Sequence, residues 1–176
     1  MTYPQSYINF LVHFHGDRDY FECHEILEEF WKESSTKKPI WVGLIQLAVG
    51  MYHYRRGKLA GALKMLQGAY RILQQEQTAL SHLGMDAEQL FDLLSQTIQN
   101  VNSHAPYASI TLPLCDPHLL NICQEECQQR GLPFGQQSDL SNTYLVNKHT
   151  LRDRSEVISE RQNQLQLKMS QRQQQK

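Results

Sequence analysis

Apolar side chains recur at helical spacing through the first hundred residues of the chain. They follow an i, i+3, i+4, i+7 order, and no segment in this stretch alternates with the period of two that is typical of a strand. We predict helices that contain Tyr7–Phe14, Tyr20–Phe30, Trp41–Tyr52, Leu59–Leu73 and Asp86–Val101. The pattern therefore predicts an all-α bundle of about five helices over residues 1–103.

The residues between these helices support the predicted boundaries. Asp19 and Asp86 are suited to cap the helices that follow them, and Pro39 suits the first turn of the third helix. Gly16 and Gly57 each end one helix shortly before the next begins. This arrangement favours two successive antiparallel helical hairpins of similar size, although short glycine turns are common between helices in any bundle.

The composition changes after Ser103. Residues 104–147 are predicted to be a loop-rich extension with one short helix from about Asp116 to Arg130. Residues 148–176 are predicted to form a long, polar, basic helix with a frayed C-terminus. Apolar residues recur there every seven positions, but arginine occupies the second core position of each repeat, so we predict at most a weak coiled-coil seam. The apolar positions are Leu151, Ile158 and Leu165, and the arginine positions are Arg154 and Arg161.

Charge is distributed unevenly along a chain that is close to neutral as a whole. The 176 residues carry a formal net charge of -1, whereas seven basic and three acidic residues give residues 148–176 a charge of +4 and leave -5 on the rest. The near-neutral total argues against a dedicated nucleic-acid-binding protein. The basic C-terminal helix either contacts a protein partner or packs against its own acidic body.

No segment of the chain is typical of export or of membrane insertion. The longest apolar stretch, Trp41–Met51, is shorter than the roughly 20 residues that span a bilayer. The N-terminus lacks the basic and apolar regions of a signal peptide, and the four cysteines are therefore expected to be free thiols. We expect a cytoplasmic protein, or a stromal one if its source is a plastid, that binds no membrane.

The segment Phe21–Trp31 holds the densest cluster of residues that can do chemistry. His24 and Glu28 are four residues apart, so they lie on one face of a helix, with Glu25 beside them. The order His-Glu-x-x-Glu is similar to the zincin motif His-Glu-x-x-His, in which two ligands hold zinc and the glutamate activates water. Because a carboxylate can also ligate a divalent ion, we assign His24 and Glu28 as candidate ligands and Glu25 as candidate catalytic base. The alternative is a solvated acidic face in which His24 only hydrogen-bonds Glu28.

Two polar residues interrupt the otherwise apolar third helix. Gln46 and His53 lie seven residues apart and share a face, and their burial is costly unless they have partners. If this face meets the second helix, His53 joins His24 and Glu28 as a ligand for a divalent ion such as zinc, manganese or iron. The pocket is predicted to include Trp31, Gln46, Tyr52 and Arg56. A metal-free alternative is a buried hydrogen-bonded network that fixes the register of the helices.

Several short motifs occur in a fixed order along the first half of the chain. They are Phe14-x-Gly16, Tyr20-Phe21-Glu22-x-His24-Glu25-x-Leu27-Glu28-x-x-Trp31, Gly43-Leu44-Ile45-Gln46-Leu47-Ala48, Tyr52-His53, Arg56-Gly57 and Gly61-Ala62. Together they resemble the domain-of-unknown-function 309 family over roughly residues 10–75. The resemblance implies a small all-helical bundle from bacteria, archaea or plastid-bearing lineages, and it implies no particular reaction. It marks His24, Glu25, Glu28, Trp31, Gln46 and His53 as motif positions. The segment from His104 to Lys176 departs from the compact family pattern as an added extension, and its length and glutamine content suggest a cyanobacterial or plastid-type member.

Two functional hypotheses follow from these features. The first is a polar pocket between helices that binds a divalent metal or a small polar ligand, with hydrolysis as the reaction that such a site would support. The second is a non-catalytic interaction module, in which the buried polar network is structural and the basic C-terminal helix contacts a protein. Deletion of residues 148–176 distinguishes them, because a pocket in the bundle survives the deletion and a contact made by the tail does not.

Overall fold

The computed structural model describes residues 2–151 and 155–173. Within these ranges the regular structure is helical, apart from one isolated antiparallel bridge between Met85 and Leu114, and the predicted all-α class is confirmed. The helices are α1 (Gln5–His15), α2 (Tyr20–Glu33), α3 (Pro39–Arg55), α4 (Leu59–Gln75), α5 (Gln77–His82), α6 (Ala87–Asn102), α7 (Pro117–Gln129), α8 (Thr143–Val146), α9 (Lys148–Leu151) and α10 (Ser155–Gln173). None of them combines the length and the apolar character that a bilayer crossing requires.

Local sequence signals explain where several helices begin. The Asp19 carboxylate accepts the backbone N–H of Glu22 at the start of α2, and Asp86 accepts that of Gln89 at the start of α6. Pro39 occupies the first turn of α3, where the missing proline N–H leaves no helical hydrogen bond unmade. These three predicted helix starts are confirmed.

Helices that are neighbours in sequence form most of the core. α1 packs on α2, α2 on α3, α3 on α4 and α4 on α6, while α7 returns to pack on α1. Since α2 and α3 each contact the helix before and the helix after, the grouping into two separate hairpins stays a prediction. Large aromatic rings fill the core between α1, α2 and α3, with centroid distances of 5.1 to 6.4 Å, and their burial stabilises the bundle. These rings belong to Tyr7, Phe10, Phe14, Tyr20 and Trp41.

Glycines bring α3 and α4 into close contact. A Cβ atom built on Gly43 would lie 2.6 Å from the Leu73 side chain, and one on Gly50 would lie 2.7 Å from the Leu66 side chain. Protein interiors are packed too densely to absorb such overlaps without movement. The backbones of α3 and α4 can therefore approach closely only because both positions lack a side chain.

The segment after α6 belongs to the same compact unit as the N-terminal helices, Met1–Val146. Three buried polar side chains from the N-terminal part of the chain, His15, Arg18 and Arg55, form hydrogen bonds with the backbone of this segment. The backbone groups that they contact belong to Ile110, Leu112, Gln136 and Leu145. Because a buried polar group needs a partner, these contacts tie the segment to the helices.

Residues Asn147–Lys176 form a second compact unit. Its described part contains α9 and α10, and the predicted long C-terminal helix is present as α10. Its large apolar side chains are more than half exposed; these are Leu151, Ile158, Leu165, Leu167 and Met169. The predicted seam position Arg154 and the predicted fraying at residues 174–176 lie outside the described residues.

Candidate functional site

Three of the predicted site residues lie together on one face of α2. Nε2 of His24 is 2.9 Å from Oε2 of Glu28, and Nδ1 of the same ring is 3.2 Å from Oε1 of Glu25. One ligand atom from each of the three side chains lies within 4.8 Å of the other two, and all three are half-buried. The i, i+4 spacing of a helix places His24 above Glu28, as the sequence predicts.

Glu28 has a second partner on the same helix. Its Oε1 atom lies 2.7 Å from Nζ of Lys32, which is again four residues further on. This hydrogen bond from Lys32 is the largest cause that lowers the pKa of Glu28, and it raises the pKa of Lys32. The carboxylate of Glu28 is thus ionised and is shared between an imidazole and an ammonium group.

A shallow depression of about 430 Å³ lies beside this cluster. It is lined by Glu25, Glu28, Glu29, Lys32 and Glu33, which all belong to α2. Four carboxylates and one ammonium make its lining acidic, which attracts cations rather than anions.

The arrangement of the three side chains is suited to holding a divalent ion. Zinc accepts one histidine nitrogen and carboxylate oxygens as ligands, which His24 and Glu28 supply from adjacent turns. A carboxylate at the other ring nitrogen commonly orients a metal-bound histidine, and Glu25 lies at that nitrogen. Glu25 is therefore placed to orient His24; its predicted role as a catalytic base stays a prediction.

The polar face of α3 lies against α4. A Cβ on Gly68 would collide with Oε1 of Gln46, and a Cβ on Gly61 would lie 3.2 Å from the His53 ring. His53 is not part of the group of ligand atoms formed by His24 and its two glutamates. Burial, with a smaller contribution from Arg56, lowers the pKa of His53.

Two buried atoms of this face lack the partners that a polar network would supply. Oε1 of Gln46 and Nδ1 of His53 are buried and have no hydrogen-bond partner. The side chains fit instead against the bare backbone of the two glycines of α4. Their observed contacts are therefore packing contacts between α3 and α4.

Aromatic rings lie between the two predicted histidine ligands. The ring of Phe21 is 6.1 Å from His24 and 6.2 Å from Tyr52, and Tyr52 is in turn 6.2 Å from His53. The Arg56 guanidinium lies 5.4 Å from the Tyr52 ring. The predicted pocket residues Tyr52 and Arg56 thus pack together beside His53.

The remaining pocket residue, Trp31, lies near the end of α2. Its indole N–H is buried without a hydrogen-bond partner, and the ammonium of Lys37 lies 5.3 Å from its ring centroid. Gln46 lines a separate surface cavity of about 310 Å³ together with Gly68 and Arg71 of α4. The predicted pocket residues are therefore divided between different surfaces of the bundle.

Sequence reasoning missed the buried charges of this part of the chain. Arg18 is 1% exposed and adopts a left-handed backbone conformation with a φ of 59°. Its guanidinium donates to the carbonyl oxygens of Phe14, Ile110 and Gln136. A turn such as Gly16-Asp17-Arg18 normally predicts an exposed arginine, so the sequence carried no signal for this burial.

Comparison with known proteins places the chain in a family. The sequence model described as Domain of unknown function (DUF309) matches residues 7–65. The chain is also 47% identical over 165 residues to "Uncharacterized protein YpuF" of Bacillus subtilis (strain 168), an alignment that covers 93% of this chain and 95% of the relative. No solved structure matches significantly. A relative from Bacillus does not favour the cyanobacterial or plastid-type source suggested by the extension. The chain belongs to the DUF309 family.

Proposed function

We propose that the protein binds a divalent metal ion at His24 and Glu28 on α2, with Glu25 orienting the imidazole. The observation that carries this proposal is the pairing of Nε2 of His24 with Oε2 of Glu28 at 2.9 Å on a half-buried helix face, with Oε1 of Glu25 at 3.2 Å from the other ring nitrogen. His53 is left out of the proposed ligand set because its ring lies against Gly61 of α4.

The ligand types limit which ions suit the site. One imidazole and carboxylate oxygens fit zinc, manganese or iron better than the soft ions that prefer thiolates. One helix face offers only part of a coordination shell, so the other positions would be open to water or to a small polar ligand with oxygen donors. A metal-bound water at an open position is the group from which hydrolytic chemistry would start.

Elemental analysis tests this proposal directly. We expect near-stoichiometric zinc, manganese or iron in the full chain purified without chelator or affinity metal, and loss of that metal in His24→Ala. His13→Ala is the matched control. Nδ1 of His13 also lies 3.1 Å from a carboxylate oxygen four residues further on, that of Asp17. Neither His13 nor Asp17 belongs to the group formed by His24, Glu25 and Glu28. Absence of metal in the wild type, both as purified and after incubation with each ion, would overturn the proposal.

We also propose a second function, contact with a protein partner through α10. The observation that favours it is the exposure of Ile158, Leu165 and Met169, each more than half exposed on a helix whose segment carries net positive charge. A partner with an acidic surface and an apolar groove would match this helix. The double variant Ile158→Ser/Leu165→Ser should lose such a partner in co-purification, and Gln162→Ser should keep it.

We further propose that the protein resides in the cytoplasm. All four cysteines are free, and three of them are buried in the core without pairing. Free thiols are typical of proteins in a reducing compartment. Fractionation of cells that carry a tagged full chain tests this location; recovery in the secreted fraction would contradict it.

A further inference from the structure

We infer that Lys32 sets the metal affinity of the site formed by His24 and Glu28, because it acts as an internal counter-cation that competes with the metal for the Glu28 carboxylate. The inference rests on the proposed function, and it assigns to this site a residue that lowers its occupancy. Lys32 would make the site responsive to the metal concentration instead of permanently filled.

The geometry around Glu28 carries this inference. One oxygen of the carboxylate faces His24 at 2.9 Å, and the other faces the Lys32 ammonium at 2.7 Å. An ion that binds between His24 and Glu28 therefore meets a carboxylate whose negative charge is already partly neutralised. The same ammonium repels a divalent cation placed beside it.

The lining of the adjacent depression strengthens the argument. Among the residues that line it, Lys32 is the one base beside four glutamates. Removal of Lys32 would leave a lining made only of carboxylates, which raises the local attraction for cations. The Lys32 side chain is 63% exposed, so its substitution disturbs no core packing.

Isothermal titration of the full chain with Zn²⁺ tests the role of Lys32. We expect Lys32→Met to bind Zn²⁺ about tenfold more tightly than the wild type at low salt, because one nearby positive charge is removed. The gain should shrink as the salt concentration rises, since exposed charges are screened. Lys32→Arg, which keeps the charge, should bind no more tightly than the wild type.

A matched control separates the local effect from net charge. Lys64→Met removes the same charge from an exposed position of α4 and should leave the affinity unchanged. The role of Lys32 would be overturned if the wild type binds Zn²⁺ and Lys32→Met binds it no more tightly, or if Lys64→Met gains as much affinity as Lys32→Met. The proposed function would still stand in both cases. Absence of Zn²⁺ binding in both the wild type and Lys32→Met would overturn both. The role of Lys32 and the proposed function would both be supported if Lys32→Met binds Zn²⁺ more tightly than the wild type and Lys32→Met/His24→Ala does not bind it.

Discussion

Nε2 of the His15 imidazole accepts the backbone N–H of Leu112 at 3.0 Å. Nδ1 of the same ring donates to the carbonyl oxygen of Leu11 at 2.8 Å, and the ring stacks on Phe134. Both nitrogens are thus used by the neutral form of the ring. Burial is the largest cause that lowers the pKa of His15, to about 4. A proton added to Nε2 would remove the acceptor that holds Leu112.

We expect the free energy of unfolding to fall as the pH is lowered from about 6.5 towards the folded pKa of His15. The unfolded chain has an ordinary histidine pKa of about 6.5, so it takes up the proton first. The contribution of the neutral His15 ring to the free energy of unfolding is complete above pH 6.5. About 3 kcal/mol of this contribution is lost when the pH reaches the folded pKa of about 4. Urea unfolding at several pH values between these limits measures the loss.

Two variants assign this pH dependence to His15. His15→Phe should be less stable near neutral pH and should lose much of the slope, because the group that titrates is absent. His82→Phe changes an exposed histidine of α5 and should keep the wild-type slope. Equal slopes in the wild type and His15→Phe would contradict the assignment.

We expect Gly68→Ala to destabilise the protein by about 1 kcal/mol or less, because the new methyl group collides with the Gln46 side chain but the flexible end of that side chain can move aside. The same substitution should become neutral or stabilising in a Gln46→Ala background, since alanine is the better helix former once the collision is removed. Thermal or urea unfolding of the four proteins of this cycle gives the coupling energy. If the two substitutions change the free energy of unfolding additively, the side chains at positions 46 and 68 do not contact each other.

We expect Arg18→Met to lower the free energy of unfolding by about 3 kcal/mol, because the carbonyl oxygens of Phe14, Ile110 and Gln136 lose the donor of one buried and two partly buried hydrogen bonds. Arg130→Met is the comparison, since Arg130 forms an exposed ion pair with Glu126 and its loss should cost about 0.5 kcal/mol. Urea unfolding measures both variants. If Arg18→Met and Arg130→Met lower the free energy of unfolding equally, the buried hydrogen bonds of Arg18 add nothing to stability beyond an exposed ion pair.

We expect one of the four thiols to react rapidly with a thiol reagent under native conditions. Cys115 is exposed, whereas Cys23, Cys123 and Cys127 are buried, and burial raises the pKa of each buried thiol. Four thiols should react in guanidinium chloride. Cys115→Ser should abolish the rapid phase; a rapid phase that persists in this variant would contradict the burial of the others.

The helical periodicity of the sequence was sufficient to predict the larger helices of the N-terminal region. α1, α2, α4 and α6 each bury an apolar face over several turns, so the period of 3.6 residues is visible in their sequences. α3 is buried around most of its circumference, so Pro39 and the length of its apolar stretch were the clearer signals for that helix. The short α5, Gln77–His82, was not predicted. Six residues complete fewer than two turns, which is too short a stretch for periodicity to appear.

The sequence could place Gln46 and His53 on one face of α3 but could not say which helix that face meets. Both α2 and α4 pack against α3, so the choice depends on tertiary packing. A signal was nevertheless present, because Gly61 and Gly68 of α4 repeat at the same spacing of seven residues. Matched polar and glycine positions on adjacent helices predict close contact between those faces. The i, i+4 contact of His24 with Glu28, by contrast, depends on one helix alone and was predictable.

The hydrogen bonds of His15, Arg18 and Arg55 bear on how the chain can be shortened for expression. All three residues fall inside the region matched by the family, residues 7–65, yet some of their partners lie between Ile110 and Leu145. A fragment that ends after α6 would leave these donors and acceptors without their partners. A fragment designed for crystallisation should therefore end no earlier than Val146, even though the match to the family model ends at residue 65.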